Sequence, residues 1–347
     1  MESTSAGIRS AASPAKLRLT AVIANYNYGH FLPVAVEAMV NQSRPADEFI
    51  LIEDASTDGS ERVVDELAQR YPFIKVVRHK VNRGANPTVE EALDMATGDY
   101  FYCGAADDMV LPGFFESAMS VLEQFPTAPL CAGIPMHWHE DSDRQFESCI
   151  GMPRESGFLQ PKELWPLARR GALGLGGLSA LYRIADLKAL GGFRPSLRWH
   201  VDFFVVYALA LGRGLAWTAK PTAVFRIHSK SYSNTRFSRP REEEQALAEL
   251  VRLVVTEMPV EIQTGFRASG ILGRLGWPIL PVLLAKRRHC SQLSVSFWRV
   301  WLATMKHRAT SAIARAILPM WLRHAFTRKI RTETKFDLSA MKVKTRT

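Results

Sequence analysis

Between Leu17 and Cys103 the chain alternates apolar runs of strand length with segments of helical spacing, and few architectures accept that rhythm. The runs LRLTAVIA (17–24), EFILIED (48–54), FIKVVRH (73–79) and YFYC (100–103) predict strands. Between them, FLPVAVEAMVNQ (31–42) repeats apolar residues at Phe31, Val34, Ala35, Ala38 and Met39. STDGSERVVDELAQRY (56–71) sets Val63, Val64, Leu67, Ala68 and Tyr71 on one face after a capping-rich start, and PTVEEALDMA (87–96) supplies a further helix. Strand, helix, strand at this spacing calls for a parallel sheet with right-handed crossovers. Ligands of such sheets sit beyond the carboxyl ends of the strands. That rule gathers Asn25-Tyr26-Asn27, Glu53-Asp54, Asn82-Arg83-Gly84 and Asp107-Asp108 on one rim.

Asp107 and Asp108 close the stretch GDYFYCGAADDMVLPGFF (98–115). Adjacent carboxylates at the end of a buried strand repel each other and lose hydration, so a basic side chain, a metal ion or open solvent must answer them. No GxGxxG follows the first strand and no GxxxxGK[ST] occurs, which leaves dinucleotide binding and P-loop chemistry unsupported. Length (347 residues) and composition (47% hydrophobic, 22% charged) describe an ordinary globular chain with room for a large domain and an appendage, or for two domains. Cys103, Cys131, Cys149 and Cys290 show no CxxC pairing, as expected of reduced thiols in a cytosolic protein.

Past residue 125 the periodicity loosens. Residues 157–193 read as loop-rich, RWHVDFFVVYALALGRG (198–214) as a helix opening near Asp202, TAVFRIHSKSYS (222–233) as a strand running into a polar loop, and everything from about 240 as helical. His137 and His139 in MHWHE would share a strand face, without zinc-site spacing.

In this order and spacing, VIANYNYGHFLPVAVEAMVNQSRPADEFILIEDASTDGS, NRGANPTVEEALDMATGDYFY, AADDMVLPG, GGF, HVDFF and FRIHSKS resemble the family-two glycosyltransferases of the GT-A fold, over residues 17 to 235. The resemblance implies an α/β GT-A nucleotide-diphospho-sugar transferase fold with a mostly parallel central sheet flanked by helices. It divides the chain into a flexible tail (1–16), the GT-A domain (17–235) and a basic amphipathic helical extension (236–347). It also implies a nucleotide-sugar donor, UDP-linked by preference, a divalent metal (Mg or Mn), and inverting transfer to a hydroxyl of a glycan or lipid-linked acceptor. Carried over residue by residue, Asp54 reads the base and Tyr26 offers it a ring. Ala24, Asn82, Arg83, Asp107 and His228 complete the donor contacts, Asp107 and Asp108 hold the metal, and Asp202 is the general base. The family keeps an Asp-x-Asp where Ala105-Ala106-Asp107 stands, and often a Glu where Val201 precedes the base. These departures keep a catalytically degenerate GT-A-like binding protein in view as the alternative.

The net charge of +10 is unevenly spread: residues 261–347 carry 17 Lys/Arg against 3 Asp/Glu, leaving a mildly acidic body. The longest uncharged apolar run there, LGWPILPVLLA (275–285), is far short of the about 20 residues a spanning helix needs. FWRVWLATMKHR (297–308) places Phe297, Trp301 and Met305 on a stripe with Trp298 and Leu302 adjoining, and AIARAILPMWLRHAF (312–326) repeats the style with Trp321. Basic helices of this kind lie in membrane interfaces. The expectation is a cytoplasmic protein with a peripheral contact on the anionic inner face of the cell membrane; the competing reading packs these faces on the catalytic domain. No nucleic-acid motif accompanies the positive charge, so no nucleic-acid partner is expected.

Overall fold

The rhythm of the first hundred residues becomes four parallel strands, β1 (Leu19–Asn25), β2 (Glu48–Glu53), β3 (Lys75–Arg78) and β4 (Tyr100–Ala105), laid out as β3-β2-β1-β4. The structure, a computed structural model, describes residues 16–228, 231–232 and 237–317. The expected tail and the segment around Trp321 fall outside the described residues, apart from Lys16 at the tail's end. Helices α1 (Leu32–Val40), α2 (Ser60–Arg70) and α3 (Ala85–Met95) make the crossovers. Register sets the rim: Ala24 lies opposite both Ile52 and Ala105, and Asn25 lies opposite Glu53.

The rest of the sheet is less uniform than expected. It adds β5 (Met109–Val110), helix α4 (Phe114–Gln124), β6 (Leu130–His139), β7 (Arg144–Glu147), β8 (Gly157–Leu159), helix α5 (Pro161–Arg169), β9 (Ala180–Arg183), helix α6 (Ile184–Leu190), helix α7 (Val201–Arg213) and β10 (Leu215–Ile227). β9 enters antiparallel between β4 and β6, while β6 and β10 pair in parallel. Parallel pairing is therefore confined to the first four strands and to the β6–β10 pair. The span 157–193 is not mainly loop: Gln160 and Glu163 form a capping box at the start of α5, and Pro161 occupies its first turn, where no backbone N–H is missed. β10 begins at Leu215, earlier than the 222–233 expectation, because LAWTAKP pairs with β6 and β8 through an irregular register.

Apolar side chains alternate across the sheet with period two. On β1, Leu19, Ala21 and Ile23 face α1, α2 and α4, while Val22 faces the opposite layer with α3, α5, α6 and α7. Helices α8 (Pro240–Arg252), α9 (Val260–Ser269), α10 (Ile279–Leu284) and α11 (Val295–Ile317) follow. Their buried residues, among them Leu250, Ile262, Phe266, Leu283 and Phe297, join the same core as Val22 and Phe204. No helix of the described residues is long and apolar enough to cross a membrane.

Candidate active site

At the end of β2 the Asp54 side chain is almost wholly covered. Its Oδ1 accepts from His79 Nδ1 at 2.6 Å and from the Arg83 backbone N–H at 2.9 Å, and its Oδ2 accepts from the Gly84 N–H at 2.9 Å. Asp54 thus fastens the 82–84 loop. His79 continues to Glu91 at 3.0 Å, and Glu91 also pairs with the Arg83 guanidinium. The Arg83 guanidinium, half exposed, thus has an acidic protein partner, and Asn82 stands exposed beside it. At the start of α2, where Gly59 is the N-cap, the Asp58 Oδ1 accepts from the Ser60 N–H at 3.0 Å. Beside Asp54, Asn25 donates to Glu53 Oε2 at 2.6 Å while its own Oδ1 is buried without a partner, an acceptor left over at the rim. Ala24 is half-buried just before it, and Tyr26 just after it is 42% exposed.

The adjacent aspartates divide their work. Asp108 Oδ1 accepts from the Arg226 backbone N–H at 2.7 Å, clipping the loop after β4 to β10. Asp107 Oδ2 meets His228 Nε2 at 3.0 Å. The buried Arg226 guanidinium donates from Nε to the Asp107 carbonyl at 3.0 Å, pairs with Glu140 at 2.8 Å, and lies over the Phe31 ring at 4.2 Å and the Trp138 ring at 4.8 Å. A positive group does answer the paired carboxylates, but incompletely. Burial and then the Asp107 charge hold the Asp108 carboxyl well above the usual carboxylate range, against the opposing pull of Arg226. Tyr28 sits close by; burial, then the charges of Asp107 and Asp108, push its phenol up to about 12.

A divalent cation fits this corner. Asp107 and His228 offer an oxygen and a nitrogen donor at one spot, matching the small number of protein ligands that Mg²⁺ or Mn²⁺ takes beside phosphate and water. No cluster of three or more His, Cys, Asp or Glu suited to a metal occurs among the described residues, so an ion here would need non-protein oxygens to complete its shell.

Asp202 opens α7 in its first turn, behind His200. The residue is exposed to solvent, yet desolvation raises its carboxyl to about 6. The charge of Asp202 is felt by Asp108 and by Cys103 on β4, which places α7's start against the acidic rim. Its seat depends on Gly177: a Cβ there would stand 2.6 Å from the Asp202 carboxyl carbon and 2.8 Å from each oxygen. The Tyr182 hydroxyl holds the Gly177 carbonyl at 3.2 Å.

Asp107, Asp108, Asp202 and His228 therefore share one corner of the rim, and Asp54, Asn82 and Arg83 share another beside Ala24 and Tyr26. Sequence reasoning missed His79, Arg226, Gly177 and Tyr28. Arg226 and Tyr28 lie inside quoted motifs, FRIH and NYNYGH, but nothing local shows which carboxylate each one meets.

Residues 20–188 match the domain described as glycosyl transferase family 2. The uncharacterized glycosyltransferase YibD of Escherichia coli (strain K12) is 33% identical over 104 residues, an alignment that spans 30% of this chain and only 30% of that protein. S. aureus TarS in complex with UDP-GlcNAc superposes with a TM-score of 0.56 at 12% identity, covering 87% of this chain and 82% of that one. The mannosyltransferase PcManGT from Pyrobaculum calidifontis, in complex with GDP-Man and Mn²⁺, superposes with a TM-score of 0.52 at 18% identity, covering 91% and 80%. At these identities the two superpositions establish the GT-A fold.

Proposed function

The chain carries a glycosyl transferase family 2 domain in residues 20–188, and from that premise we propose that it transfers a sugar, with inversion, from a nucleotide-diphosphate donor to an acceptor hydroxyl. The observation that carries this reading is Asp202: an exposed aspartate whose carboxyl is raised to about 6 and whose charge is felt by Asp108, next to the Asp107–His228 pair. With that value it is ionised at neutral pH yet more basic than an ordinary aspartate. It takes the proton of the acceptor hydroxyl as that oxygen attacks the anomeric carbon from the side opposite the leaving diphosphate, an assistance typically of about 10²–10⁴-fold. Held by Asp107 and His228, a Mg²⁺ or Mn²⁺ ion would supply charge neutralisation for that diphosphate. Asp108, tied to the Arg226 N–H, keeps the Asp107 loop in place.

A UDP-linked donor is favoured. A carboxylate has about four acceptor positions, and Asp54 uses three on His79, Arg83 and Gly84. The remaining one suits the ring N–H of uracil. Tyr26 offers an open ring beside it. The acceptor is a cell-surface polysaccharide or lipid-linked glycan, reached from the cytoplasm with the basic C-terminal part resting on the inner membrane face; the surplus of Lys/Arg after residue 261 supports that placement.

The test is nucleotide release across UDP-, GDP- and dTDP-sugars with Mn²⁺, comparing the wild type with Asp107→Ala and Asp202→Asn. Release from one donor, lost in both variants, is expected. Ala105 and Val201 favour the second reading, a degenerate binding protein. Equal background rates in all three proteins, with donor still bound, would establish it.

A further inference from the structure

We propose that the outward face of α11, joined by Trp277, is a docking surface for an anionic lipid bilayer. The proposal rests on the membrane-peripheral reading above and gives it residues and an orientation. The sequence stripe Phe297–Trp301–Met305 is not the face presented to solvent: Phe297 is fully buried and Val300 nearly so. Val295 (87% exposed), Trp298 (40%) and Leu302 (59%) point outward instead, spaced i, i+3, i+7 along one side of the helix. Trp277, 64% exposed ahead of α10, extends this side across the gap between elements. Its ring lies 5.7 Å from that of Trp301, which lies 5.7 Å from that of Trp298. The Trp301 Nε1–H donates to the Gly276 carbonyl at 3.0 Å, so the cluster is anchored in the fold. Neighbouring indoles with apolar bodies in solvent belong to the chemistry of a membrane–water interface.

Charge selects the lipid. From Ile262 to Thr332 the sequence has no Asp or Glu. Within it Arg299 stands exposed on α11, and Lys286, Arg287 and Arg288 stand exposed after α10. Arg169 and Arg267 line a depression together with Val295, so cations flank the apolar face at its start. Soluble surfaces mix both signs; this stretch of sequence pairs aromatic and aliphatic groups with a single sign, the combination that binds acidic headgroups while inserting apolar side chains. Nucleic acid would engage the cations and stack on indoles but gives Val295 and Leu302 nothing to bury against. A second copy of the chain would bring like charge to like.

The experiment is flotation of the full-length protein with vesicles of phosphatidylglycerol or of phosphatidylcholine. Tryptophan fluorescence and nucleotide release from soluble donor are measured in parallel. Wild type is expected to float with phosphatidylglycerol only and to show a blue-shifted emission. Trp298→Ser/Leu302→Ser is expected to lose at least about tenfold in partitioning. Arg267→Gln/Arg299→Gln is expected to lose about fivefold for each charge near the surface. Trp298 also packs edge-on against the Phe297 ring at 5.3 Å, so the Tm of each variant is measured as well; unchanged Tm and nucleotide release are expected and separate docking from folding. No flotation of the wild type, equal flotation with both lipids, or variants that float like wild type would each overturn the proposal while leaving the transferase reading untouched. So would a dimer that dissociates in Trp298→Ser/Leu302→Ser, or salt-dependent oligonucleotide retention without vesicle binding.

Discussion

Asp202 carries both a chemical and a thermodynamic consequence at the residue scale. A base must be unprotonated, so kcat/KM should rise with pH through about 6 and level off above it, a lower limb that a kcat/KM–pH profile reads directly. Folding linkage has the opposite sign. Between its unfolded value and about 6 the native state holds the Asp202 proton more tightly than the unfolded chain does, so the stability from this group is present at low pH and lost as pH rises through that window. At neutral pH the ionised side chain is therefore a cost to the fold. Asp202→Asn should lower kcat by about 10²–10⁴-fold while leaving Tm at pH 7.5 unchanged or raised; a fall in Tm would mark the residue as structural. Gly177→Ala is the complementary case. Its added methyl overlaps the carboxylate, a movable side chain, so kcat should fall with donor KM held, and thermal unfolding should barely change. Asp54, Asp107, Asp108 and Asp202 were legible because each sits in a short motif at a strand or helix end. Their partners were not: His228 reaches Asp107 across 121 positions and Arg226 reaches Asp108 across 118, and no local pattern records such a pairing.

At the scale of elements, α7 owes its position to what packs behind it. A Cβ on Gly265 of α9 would stand 2.4 Å from the Leu211 carbonyl oxygen, and one on Gly212 would stand 2.5 Å from Ile262 Cγ1, so the two helices approach closely through glycines. For Gly265→Ala two effects compete. Alanine gains about 1 kcal/mol in helix propensity, but the obstacle is backbone, which cannot turn aside, and overpacking typically costs about 1–3 kcal/mol. The steric term should win, lowering the urea midpoint with unchanged m-value; a rise in the midpoint would mean the helices separate freely. The β1–α3 alternation was legible because period-two and period-3.6 patterns are clean where each element buries one continuous face. β6, β9 and β10 were not. Their strands mix histidine, tryptophan, proline and threonine, and β9 is only Ala180–Arg183, too short to show a period. α5 hid among glycines, though Gln160-Pro161-x-Glu163 was a readable start signal.

Over the whole molecule, the basic C-terminal part and the catalytic part share one interior. Ile262, Phe266, Ile271, Leu272, Ile279, Val282, Leu283 and Phe297 are buried in the core that also holds Val22, Leu93, Phe204 and Leu250. Each large apolar side chain so buried contributes about 1.5–3 kcal/mol, and whole domains are stable by only about 5–15 kcal/mol. Removing residues 261–347 should therefore do more than detach a membrane contact. It bares the outer side of α7, whose first turn carries Asp202, and the truncated protein should aggregate or melt without a cooperative transition in differential scanning calorimetry. Loss of vesicle binding in that truncation would then report unfolding, which is why substitutions on the exposed side of α11 separate docking from folding and a deletion does not. If instead the truncated protein melts cooperatively near the full-length Tm and still releases nucleotide, the helices after residue 260 lie on the core without supporting it, and the close α7–α9 approach has no role in seating the base.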